Sequence, residues 1–149
     1  MEKTKKNVLC LLSICAVALL LGACNILGDA AKLEVYDFGS DRIPTINSVV
    51  GERKVTGVET GTRTGGVQYK NYTYETQTLT EDMDAYYFSL QEAGFLVTKS
   101  SDGNTLKGTL EMGCNSADEG KLILVGLAWD NTIITISIVK GEGSVTPNG

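Results

Sequence analysis

The chain contains no histidine among its 149 residues. That one absence removes the Ser-His-Asp and Cys-His nucleophile systems, histidine-ligated zinc and histidine-based pH switching. Basic charge is also scarce, with 13 lysines and arginines against 18 acids. A formal net charge of −5 argues against a nucleic-acid partner, because phosphate backbones are held by clustered cations. A phosphate loop is missing as well. Gly57, Gly61, Gly65 and Gly66 are not followed by Gly-Lys-Ser/Thr, and no helix begins directly behind them, so they read as hairpin glycines.

What is present begins at the N-terminus. A basic patch (Lys3, Lys5, Lys6) precedes an uncharged run from Val8 to Leu21, which ends in Gly22-Ala23-Cys24. Basic start, apolar middle and small-residue exit describe a secretory signal peptide. The apolar run is shorter than the roughly 20 residues a membrane span needs. With the cysteine directly behind the small pair, Leu21-Gly22-Ala23-Cys24 resembles the lipobox of bacterial lipoproteins. The resemblance implies that the Cys24 thiol receives a diacylglyceryl group and that cleavage removes residues 1–23. One acyl chain holds a protein to a bilayer only marginally, whereas two make a durable anchor.

Removal of the signal takes three basic residues and one acid, Glu2, with it. The remaining 10 basic and 17 acidic side chains give a mature charge of −7. Docking on anionic lipid by charge is therefore not expected, and attachment falls to the acyl group. Cys10 and Cys15 leave with the signal and Cys24 carries lipid, so Cys114 has no partner for an intramolecular disulfide. Packing and hydrogen bonds must stabilise the domain.

Residues 24–42 read as a lipid-anchored tether, with Gly28, Asp29, Gly39 and Ser40 among scattered apolar side chains. Leu33, Val35 and Tyr36 offer the alternative of a short strand packed on the domain. The domain itself is expected over residues 43–140, followed by a flexible tail, 141–149. Lys54 to Thr62 and Val67 to Thr76 fit two strands joined at Gly65-Gly66. Tyr69 and Tyr72 fall in opposite phases, which suggests a bulge near Lys70-Asn71.

Thr80 to Ala93 is the one expected helix. Met83, Tyr86, Tyr87 and Leu90 form an apolar stripe, acids occupy the first turn, and Gly94 suits a left-handed cap with Phe95 folding back. Strands follow: Phe95 to Lys99, Leu106 to Cys114, Leu122 to Trp129 and Thr132 to Val139, the last pair joined at Asp130-Asn131. The order β-β-α-β-β-β-β, with a single amphipathic helix on a mostly antiparallel sheet, defines an α+β fold.

Few residues carry chemistry. Ser137 and Lys140 match a Ser-x-x-Lys spacing, but in a strand an offset of three places them on opposite faces. Asp82, Asp84, Asp102 and Asn104 lack the ligand number and closing glutamate of a calcium loop. Cys114 sits on the inward phase of its strand and reads as an inert thiol. No cofactor, metal ligand set or catalytic group is expected. Binding candidates are Tyr69, Tyr72 and Tyr74, of which the phase slip leaves one ring or more exposed, and the adjacent pair Arg53-Lys54.

The stretches Pro44 to Gly57 and Leu90 to Phe95 make the mature chain similar to small lipoproteins of clostridia-like Gram-positive bacteria. That family brings no activity with it. The expectation is a non-catalytic binding or interaction domain held outside the cytoplasm through acylated Cys24, with an envelope protein or wall glycan as partner. Two alternatives are a glycan hydrolase using Glu59, Glu75 or Glu111, and an accessory subunit of an envelope complex.

Overall fold

A computed structural model describes residues 26–146. Cys24 and the rest of the lipobox lie outside the described residues. Residues 26–31 are helical (α1). Then come β1 (Val35–Phe38), β2 (Asp41–Pro44), α2 (Ile46–Val50), β3 (Lys54–Arg63), β4 (Val67–Glu75) and α3 (Leu79–Glu92). Strands β5 (Leu96–Gly103), β6 (Lys107–Asn115), β7 (Lys121–Asp130) and β8 (Ile133–Glu142) complete the chain. The fold is α+β, and every strand pair is antiparallel.

Six strands form one sheet in the order β3-β4-β8-β7-β6-β5, and β1 and β2 pair separately. From Lys54 onward the element order is the expected β-β-α-β-β-β-β. The expectation of a single helix is corrected by α1 and α2. Alternation makes one face of the sheet apolar, with Tyr72 and Tyr74 of β4, Ile134, Ile136 and Ile138 of β8, and Ile123, Val125 and Leu127 of β7 all buried. The chain leaves β4 at one side of the sheet and re-enters it at β5, on the far edge, through α3.

Helix α3 buries Leu79, Tyr86 and Leu90 and half-buries Met83 and Tyr87. It starts at Leu79, one residue before Thr80, and its N-terminus has no side-chain cap, the Thr78 hydroxyl donating instead to Asp82. Its C-terminus is a Schellman motif: Phe95 N–H donates to the Leu90 carbonyl and Gly94 N–H to that of Gln91. Gly94 has φ +90°, a conformation costly for residues with a Cβ.

Residues 26–42 are not the expected tether. Val35–Pro44 is a hairpin whose Tyr36, Phe38 and Ile43 are buried. The Tyr36 ring lies 4.6 Å from that of Tyr72, and its hydroxyl meets that of Tyr74 at 2.6 Å. Asn47 then fastens the entry: its amide donates to the carbonyls of Ala31 and Arg53 and accepts from Arg53 N–H. The far end is also held further than expected. Gly143 N–H donates to the Gly120 carbonyl, and Val145 exchanges two hydrogen bonds with the Asn115 side chain.

The bulge lies in β3 rather than β4. Register slips between Val55 and Gly57, so Thr56 is the extra residue, whereas β4 pairs with β8 without interruption from Gln68 to Glu75. Tyr72 and Tyr74 therefore face the core through plain alternation, and Tyr69 faces away.

Candidate functional site

The apolar face of the sheet turns polar at one end. Beyond Val58 and Tyr72 the same phase continues as Thr60, Thr62, Gln68, Lys70 and Lys140. The turn of the β1–β2 hairpin stands over this end, and a recess of about 590 Å³ opens between them. That volume is within the range of small-molecule sites.

One wall is an ion cluster centred on Lys140, which is only 5% exposed. Its Nζ lies 2.6 Å from Asp41 Oδ2, 2.6 Å from Asp118 Oδ2 and 3.1 Å from the Phe38 carbonyl. Burial alone would lower the lysine pKa, but the hydrogen bonds it donates to Asp118 and Asp41 outweigh it and leave the pKa raised. Burial likewise opposes the charge on Asp41, and donors from Lys140, Ser116 and Ala117 N–H bring its pKa below the usual value. Lys140 is thus a strut held in its charged form by the two carboxylates.

The opposite wall is open chemistry. The side chains of Thr60, Thr62, Gln68 and Lys121 line the recess and hydrogen-bond to no other described residue. The Lys70 ammonium stands 5.1 Å above the Phe38 ring and has no carboxylate partner among the described residues. Tyr69 borders the recess, but its ring lies on the other face of the sheet. Its ring lies against Gly61, where a Cβ would come within 2.9 Å of the hydroxyl oxygen and push the ring aside. Arg63 packs on that ring at 4.7 Å, and the hydroxyl donates to Glu59 at 3.2 Å.

Donors and acceptors of both kinds therefore face one concave surface: hydroxyls, an amide, ammonium groups and the carboxylates of Asp37 and Asp118. Such a mixture can hold a ligand with many hydroxyls. Among the described residues there is no cluster of His, Cys, Asp and Glu side chains that could bind a metal.

The residues singled out in the sequence do not converge. Tyr69 borders the recess with its ring turned to the other face of the sheet, Tyr72 and Tyr74 are core residues, and burial pushes the Tyr74 hydroxyl up to about 12. Arg53 is held by Asp82 in a two-pronged pair, Nε to Oδ2 and the terminal nitrogen to Oδ1, both at 2.7 Å. Lys54 pairs with Glu75 on the exposed edge. Cys114 is half-buried, and desolvation raises its thiol to about 11, far from reactive. Thr60, Thr62 and Gln68 escaped notice and Lys140 was weighed only with Ser137, although polar residues on an inward phase were the available signal.

The register also separates the three glutamates. Glu59, Asn71, Ser137, Gly126 and Glu111 occupy one cross-strand row. Four strand spacings then put Glu59 and Glu111 about 19 Å apart, and Glu75, four residues along β4, is about 14 Å from Glu59. Both distances exceed the roughly 9.5 Å upper limit for paired glycosidase carboxylates.

Comparison of the chain with protein-family models, curated proteins and solved structures finds no match. No helix among the described residues is long and apolar enough to cross a membrane.

Proposed function

We propose that this chain is a lipid-anchored protein of the bacterial cell envelope that displays a non-catalytic binding domain, with the recess beneath the β1–β2 turn as its ligand site and a glycan of the cell wall as its ligand. The anchor is acylated Cys24, read from Leu21-Gly22-Ala23-Cys24. The observation that carries the binding reading is the group of polar side chains (Thr60, Thr62, Gln68, Lys70 and Lys121) that face the recess without a protein partner. A sugar presents hydroxyls that both donate and accept, which suits a wall with amide, hydroxyl, ammonium and carboxylate groups together.

Titration of the mature chain in detergent with soluble wall oligosaccharides, followed by calorimetry, tests the ligand. Gln68→Ala with Lys70→Ala should abolish binding without changing stability. If neither wall fragments nor an intact-envelope pull-down yields a ligand, the reading fails. Membrane fractionation tests the anchor, since Cys24→Ala should release the chain into the aqueous phase.

A second reading, an accessory subunit of an envelope complex, has one observation in its favour. Leu122, Leu124 and Ala128 of β7 are half-buried on the sheet face opposite α3, where no helix among the described residues packs.

A further inference from the structure

A second groove lies away from the recess, between α3 and the segment that joins β5 to β6. Its floor is Leu110, Leu127 and Trp129, and α3 contributes Met83, Asp84 and Tyr87. The groove holds about 280 Å³. Several features make it a formed site rather than a packing defect. Gly108 leaves space beside Trp129, for a Cβ there would come within 2.5 Å of the indole ring. The indole N–H donates to the Asn104 carbonyl at 2.8 Å, which fixes ring and wall together. Asn104 is itself held, its side-chain oxygen accepting from the N–H groups of Leu106 and Lys107.

Its charge is one-sided. Asp84 is the only ionisable carboxylate in the lining, no lysine or arginine lines the groove, and Asp84 pairs with no described residue. An indole, a phenol and a thioether around one unpaired carboxylate favour a ligand that is apolar in body and positive in charge. Aromatic faces attract such cations through their quadrupole, and the carboxylate adds a direct charge. The volume suits a small head group rather than a drug-sized molecule.

We propose that this groove binds an alkylammonium group, presented either as a quaternary amine or as a lysyl side chain, between Trp129, Tyr87 and Asp84. The site is separate from the sugar-binding recess and does not depend on it.

Trp129 is the single tryptophan of the chain, so its fluorescence reports the groove directly. The mature chain in detergent is titrated with choline, with Nα-acetyl-lysine amide, and with 3,3-dimethylbutan-1-ol, the neutral counterpart of choline. A saturable change with either ammonium, absent with the neutral alcohol, supports the proposal. The ammonium that responds identifies the source. Asp84 is exposed, so Asp84→Asn should leave the fold intact. It should weaken binding about fivefold to tenfold, and Tyr87→Leu should do the same through loss of the aromatic face. No response to either ammonium, an equal response to the alcohol, or unchanged affinity in Asp84→Asn overturns it.

Discussion

Lys140 Nζ and Asp41 Oδ2 lie 2.6 Å apart, across 99 residues of sequence, and join the last strand to the first hairpin. Both side chains are largely buried, so neither can recover its hydration if the other is removed. Lys140→Ala strands the buried Asp41 carboxylate and should cost about 3 kcal/mol, whereas Asp41→Ala should cost less, because Asp118 still pairs with Lys140 at 2.6 Å. Lys140→Met with Asp41→Asn should cost clearly less than the sum of the single changes, because no charge is left uncompensated. Denaturant unfolding of the four proteins measures this. Additive losses would show that the pair does not act as one unit.

Two carboxylates, Asp41 and Asp82, set the acid limit. Burial raises the pKa of both Asp41 and Asp82, but their donors dominate and leave both values lowered. A carboxyl with a lowered folded pKa contributes stability above its unfolded value, about 3.9, and loses it as pH falls through the folded value. Stability should therefore be level from about pH 5 to pH 8 and decline below about pH 4. In Asp82→Asn the overall stability drops, and the acid decline becomes shallower. An unchanged slope would mean that Asp82 titrates alike in both states.

The sequence announces some parts of this fold much more clearly than others. Helix α3 is legible because fourteen residues give its apolar stripe several turns to repeat and Gly94 marks its end. The hairpin Val35–Pro44 is not, since each strand has four residues and the turn residues between them look like linker. Its burial depends on Tyr36 meeting Tyr72 and Tyr74, partners that no local pattern reveals. The slip assigned to β4 belongs to β3, because a bulge displaces pairing and leaves the tyrosine spacing unchanged. For the recess, composition was visible and convergence was not. Thr60, Gln68 and Lys140 come from three strands, and only the register brings them together.

Two strand glycines should respond in opposite ways to alanine. At Gly108 a Cβ would lie 2.5 Å from the Trp129 ring and 2.7 Å from the Asp102 carbonyl, and the backbone oxygen cannot move aside. Gly108→Ala should cost about 2 kcal/mol and shift the tryptophan emission. At Gly126 the nearest atoms are 3.6 Å away, an ordinary contact. Gly126→Ala should stabilise by about 0.5 kcal/mol, because alanine loses less backbone freedom on folding. Thermal or denaturant melts of both variants decide the matter, and a destabilised Gly126→Ala would show that the open sheet face is tighter than described.

At the alkaline limit, three tyrosines should resist ionisation until the chain unfolds. Desolvation raises the pKa of Tyr36 and Tyr86 well above the ordinary phenol value and that of Tyr74 to about 12. A folded pKa above the unfolded value of about 10 contributes stability that is complete below pH 10 and is lost as pH rises through the folded value. Lys140 works in the same direction, since its raised pKa also withdraws stability only in alkali. Near-ultraviolet tyrosinate absorbance, followed together with circular dichroism, should show these rings titrating in one step that coincides with loss of structure. Tyr74→Phe removes one ionisable ring and also one end of the Tyr36 hydrogen bond, so its alkaline step should be smaller in amplitude and begin at lower pH. Smooth titration of all tyrosines ahead of unfolding would mean that the Tyr36, Tyr74 and Tyr86 cluster is open to water.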